Sequence, residues 1–87
     1  MATRQSVDDL LQRCEDAIRT AQDQYLEGSM QEHYNDDDYT NALQGLEEAF
    51  NDLATMANSA NSQQREQLHR MRLQLQQAQN NMILLRH

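Results

Sequence analysis

Asp36, Asp38, Thr40 and Glu47 stand at positions one, three, five and twelve of the spacing with which a loop wraps a calcium ion. That template needs glycine at its sixth position for a sharp turn, and Asn41 stands there instead. Ala42 and Leu43, which follow, belong to an apolar stripe at helical spacing, so the acids read as the start of a helix and not as a calcium loop. His33 lies beside Glu32 and Asp36, yet no second His or Cys is spaced to complete a tetrahedral set. No metal and no cofactor are expected.

Arg65, His69 and Arg72 are separated by four and three residues, which places them on one face of a helix with Arg70 nearby. Such a strip suits an anion or an acidic partner. Pairing with acids elsewhere in the same chain competes for these side chains and is the favoured use, with a small-ligand or anion binding module kept as the alternative. The lone thiol, Cys14, has no partner for a disulfide within the chain and falls on an apolar stripe, where it acts as a small hydrophobe. Nucleophilic catalysis would need a Ser or Cys near a His and an orienting group in a concave pocket. The serines fall at caps and turns, and no glycine-rich phosphate loop is present. No catalytic residue is expected, and the chain is not read as an enzyme.

Charge narrows the partners. Fourteen acids face seven cations, all Arg, for a formal net charge of -7. A protein of that sign is ill suited to gripping a phosphate backbone, since such affinity comes from Lys and Arg displacing counterions, so no nucleic acid is expected. Tyr25, Tyr34 and Tyr39 lack a basic groove in which to stack on bases and are read as packing around the first connection. The longest purely apolar run is Met82-Ile83-Leu84-Leu85, far short of the roughly 18 residues that cross a bilayer, and no membrane is expected. The first residues, Met1 to Ser6, lead straight to Asp8 and Asp9 without an apolar core, which reads as cytoplasmic.

The elements that position these residues are helices. Val7, Leu11, Cys14, Ile18, Ala21 and Tyr25 step by four and three, a stripe widened by Leu10 and Ala17. Ser6 is the expected cap, with Asp9 three residues on, and Asp9 with Arg13 and Glu15 with Arg19 are spaced to pair along the exposed face. Gly28 and Ser29 break the pattern, and Asn35 is placed to cap a second helix declared by Tyr39, Leu43, Leu46, Phe50, Leu53 and Ala57. Ala42, Ala49 and Met56 widen that face. The third stripe is Leu68, Met71, Leu75, Ala78, Met82 and Leu85, surrounded by glutamines that sustain helix without adding burial.

Between the second and third stripes lies Asn58-Ser59-Ala60-Asn61-Ser62, turn-prone but without Gly or Pro. Continuing the second stripe through it would put Gln67 and Gln74 on the core, so the register slips by one residue. A break capped by Asn61 or Ser62 absorbs the slip. Residues 31–61 also hold seven acids and no cation, whereas residues 62–87 hold four Arg against Glu66, and folding the third segment back brings opposite fields together. The expected architecture is all-α: a single domain over residues 1–87 forming an antiparallel three-helix bundle, with helices near 6–28, 37–58 and 62–86. The alternative is a two-helix hairpin with one long C-terminal helix. Leu73 lies off the third stripe, and Ile83, Leu84 and Leu85 make the last turn apolar on several sides, marking candidate contacts with a protein partner or a second copy. A small helical interaction or structural protein is the leading functional expectation.

The stretches Ser29-Met30-Gln31-Glu32-His33-Tyr34-Asn35-Asp36 and Gln63-Gln64-Arg65-Glu66-Gln67-Leu68-His69-Arg70-Met71-Arg72-Leu73-Gln74-Leu75 resemble the YtzC family, small proteins of endospore-forming Bacillaceae. The similarity extends to the Met-Ala-Thr-Arg-Gln-Ser start. The resemblance implies a bacterial cytosolic setting and a family of unknown function, with no catalytic or binding residue to carry across.

Overall fold

The computed structural model describes residues 2–30 and 36–85, with the side chains of 27–30, 36 and 85 excepted. Among the described residues there are three helices: α1 over Arg4–Met30, α2 over Asp36–Ala57 and α3 over Ser62–Leu85. Each packs against both others. The start of α1 lies beside the α2–α3 turn, while the start of α2 is tied to the end of α3, so the path runs up, down and up. The protein is an all-α three-helix bundle, measuring 47 × 17 × 15 Å along its principal axes. Its Cα radius of gyration of 14.1 Å exceeds the roughly 12 Å of a rounder chain of this length, as expected for three helices aligned in a short rod.

The one-long-helix alternative is excluded by the turn at 58–61. The amides of Asn58, Ser59 and Ala60 donate to the carbonyls of Thr55, Met56 and Ala57, tightening the end of α2 into three-residue turns. Because no described residue has positive φ, the break needs no glycine. Asn61 then caps α3: its Oδ1 accepts from the amide of Gln64 at 2.8 Å, and its own amide donates to Gln64 Oε1 at 3.0 Å. From across the turn, Arg65 Nε donates to the Ala57 carbonyl at 3.0 Å.

At α1 the capping residue is Thr3, not Ser6. Thr3 Oγ1 accepts from the Ser6 amide and Ser6 Oγ accepts from the Thr3 amide, both at 3.0 Å. The reciprocal pair that the sequence suggested between Ser6 and Asp9 is thus formed one turn earlier, because the helix begins at Arg4. Ala2 is held at the same end, its amide donating to Ser59 O at 3.0 Å and its carbonyl accepting from Gln64 Nε2 at 3.4 Å.

The buried core takes Val7, Leu10, Cys14 and Ala21 from α1, Tyr39, Ala42, Leu46, Ala49 and Leu53 from α2, and Leu68, Met71, Leu75, Ala78 and Met82 from α3, with Ala60 closing the turn. On α3 this is the stripe read from sequence, apart from Leu85, whose side chain lies outside the described residues. On α1 and α2 the axis of burial is rotated from that stripe. Leu10, Ala42 and Ala49 are fully buried, while Leu11, Ile18, Leu43 and Phe50 are only half-buried against the core. Small residues let the helices approach at the centre, and the larger ones are displaced to the seams. Among the described residues five of the fifteen that are buried are alanine, so burial per residue is low.

Candidate interaction surfaces

Between α2 and α3 runs a groove of about 280 Å³ that gathers Arg65, His69 and Arg72, the three residues singled out by spacing on α3. Its floor is apolar: Phe50, Leu53, Ala54, Ala57 and Leu68. Arg72 places its guanidinium carbon 5.2 Å from the centroid of the Phe50 ring, a cation–π contact. Arg65 is fixed by its bond to the Ala57 carbonyl. Both cations therefore engage α2 through a carbonyl and a ring, where the sequence had pointed to carboxylates. Arg70 turns away and pairs with Glu66 at 2.8 Å on α3 itself.

Ion pairing on α1 also departs from expectation. Arg13 reaches Asp52 of α2 at 3.2 Å instead of Asp9, and Arg19 meets Asp16 at 3.7 Å instead of Glu15. Asp9 accepts from Gln5 Nε2 at 2.9 Å. Arg13 stands toward the α1–α2 seam, where a bridge between helices is within reach, and all three pairs are solvent-exposed and individually weak.

A second groove, of about 230 Å³, separates α1 from α3 toward the end where both helices finish. Ile18, Ala21, Tyr25, Ala78 and Met82 form its apolar surface, and Gln22, Gln74, Gln77 and Asn81 supply side-chain amides. No residue lining it carries a charge, whereas each of the other grooves described contains at least one Arg, Asp or Glu. Leu26 follows Gln22 by one turn and Leu84 follows Asn81 by three residues, so both prolong this surface. Leu26, Ile83 and Leu84 are 55%, 57% and 66% exposed. Of the contacts suggested by sequence, Ile83 and Leu84 thus fall at one end together with Tyr25 and Leu26, of which the sequence pattern had placed Tyr25 at the first connection and had not marked Leu26. Leu73, also exposed, lies about 16 Å away along α3.

Residues 36–47 are helical throughout and Tyr39 and Ala42 are buried, which leaves no loop to wrap a calcium ion. Among the described residues no group of three His, Cys, Asp or Glu is arranged to hold a metal. His33, Glu32 and the Asn35 cap lie outside the described residues. Tyr39 instead ties two helices together, its hydroxyl donating to the Met82 carbonyl at 2.8 Å in the interior. Cys14 is fully buried, and burial pushes its thiol up to about 11, the opposite of what a reactive cysteine requires.

The architecture is that of a small three-helix bundle with two differently lined grooves, one basic and one uncharged. The chain belongs to the family described as "Protein of unknown function (DUF2524)", which matches residues 1–84. It is similar to the "Uncharacterized protein YtzC" of Bacillus subtilis (strain 168), with 58% identity over 84 residues, covering 97% of this chain and 93% of that relative. The resemblance noted in the sequence is therefore upheld along the whole chain. No solved structure matches it. No helix among the described residues is long and apolar enough to cross a membrane.

Proposed function

We propose that this protein is a small helical interaction module of the cytoplasm, acting without a catalytic step, and that its α1–α3 seam meets a second copy of the chain. The observation that carries this reading is that, among the described residues, the groove between α1 and α3 near their ends is lined without charge in a chain of net charge -7, whereas Arg4 and Asp8 line the opposite end of the same seam. Two copies of like charge repel, so contact costs least where neither surface carries charge. The seam also adjoins the exposed Leu26 and Leu84, whose burial would favour association, and the amides of Gln22, Gln77 and Asn81 can bond across a two-fold axis. A single patch meeting itself is the commonest symmetry of soluble oligomers.

Sedimentation equilibrium over a concentration series tests this. The expected result is a mass rising toward the dimer, more readily at high salt because screening relieves the mutual repulsion, and returning to the monomer in Leu26→Asp and Leu84→Asp. Circular dichroism on the variants checks that the helices persist. A monomer at every concentration and salt overturns the proposal.

A further inference from the structure

We infer that the α2–α3 groove is a binding site for a small organic carboxylate bearing an apolar tail. It is a separate surface from the uncharged seam and stands or falls independently of self-association. Two features of its cations point to a ligand. Each guanidinium is held by a contact that leaves hydrogen-bonding capacity unspent: Arg65 uses Nε on the Ala57 carbonyl and keeps both terminal amino groups, while Arg72 uses its face on Phe50 and keeps its in-plane N–H donors. Among the described residues neither forms an ion pair, although the molecule as a whole is rich in acids. Fixing the two planes in advance lowers the entropy lost when an anion is gripped.

The floor decides the rest of the ligand. Inorganic anions gain nothing from Leu53, Ala54, Ala57 and Leu68, whereas a hydrocarbon chain laid on them leaves water as its carboxylate meets Arg72, with Arg65 about 10 Å further along the groove. His69, on the same helix face, adds an imidazole at the rim. A volume of about 280 Å³ lies just below the range of sites for drug-sized molecules, which suits a short monocarboxylic acid.

The experiment is an NMR titration of the intact protein with sodium octanoate, with acetate, octanol and octylammonium in parallel. Octanoate should saturate at millimolar concentration or below, with shifts confined to Ala54, Ala57, Leu68, His69 and their neighbours. Acetate and octylammonium should bind at least about tenfold more weakly, and Arg72→Gln should weaken octanoate by about tenfold while Arg72→Lys recovers part of the loss. Ala54→Glu, which keeps both Arg in the sequence and sets a competing carboxylate on the groove, should abolish binding even if Arg72→Gln proves poorly folded. Equal affinity for octanol or octylammonium overturns the inference by showing that apolar surface alone is sensed. Shifts centred on the α1–α3 seam, or no saturation by about 10 mM octanoate, overturn it as well.

Discussion

Replacing Tyr39 by Phe tests the tie that closes the far end of the bundle. The ring is 3% exposed and its packing is kept by Phe, so the change isolates the 2.8 Å bond from the hydroxyl to the Met82 carbonyl. Met82 falls in the last turn of α3, and the residue is 1% exposed. Removing the donor takes one partner from that buried carbonyl, at a cost of about 0.5–1.5 kcal/mol, the net worth of an ordinary hydrogen bond. With an unfolding entropy of about 2.1 cal/mol/K per residue, a chain of 87 residues loses about 5 °C in Tm per kcal/mol, so the transition should fall by about 3–8 °C. Differential scanning calorimetry reads this directly, and hydrogen exchange should show the loss of protection concentrated near the ends of α1 and α3. A Tm within about 2 °C of the parent, with unchanged exchange there, would mean that water already serves the carbonyl and that this end is held by packing alone.

Three further outcomes are expected. Asn61→Ala removes the side-chain bond of the α3 cap and should cost about 1 kcal/mol in urea denaturation, with small-angle scattering still showing a short rod near 47 Å rather than a longer one. Gly45→Ala should raise Tm by about 3–5 °C, because a methyl at that helical position meets nothing within 4 Å and alanine is the better helix former by up to about 1 kcal/mol. The Cys14 thiol is pushed from its ordinary value of 9.0 up to about 11, so the folded state holds the proton more tightly than the unfolded one. The stability linked to that proton is complete below pH 9 and is lost as pH rises toward 11, at most about 2–3 kcal/mol. Wild type should lose stability across pH 9–11 faster than Cys14→Ala, and parallel curves would refute the assignment.

Helical period was the strongest signal in the chain, and it located all three helices, most faithfully on α3, where the steps of Leu68, Met71, Leu75, Ala78 and Met82 coincide with burial. On α1 and α2 two neighbouring apolar lines competed, and periodicity alone does not say which faces the centre. The choice of Ala42 over Leu43 follows how closely the backbones can approach, whereas Leu10 and Leu11 are identical in size and only the fold distinguishes them. The register slip before Leu68 foretold the break at Asn61, since only a turn restores the face. The caps were half legible: Asn61 with Gln64 was within the expected range, while Thr3 was overlooked because Ser6 stood nearer the acids. Salt bridges were the least legible element. Local spacing nominated Asp9 for Arg13, but the winning partner, Asp52, is adjacent only after folding. The same holds for the candidate groove, where Arg65, His69 and Arg72 were visible on one face of α3 and the floor supplied by α2 was not.

The tether at Ala2 sets an order of events during synthesis. Ala2 emerges from the ribosome well before the groups that hold it, Ser59 and Gln64, which appear only once α2 is complete. Helix α1 must therefore wait, partly exposed, until the chain as far as Gln64 has appeared, and anything joined ahead of Ala2 would sit against the α2–α3 turn at the moment that latch shuts.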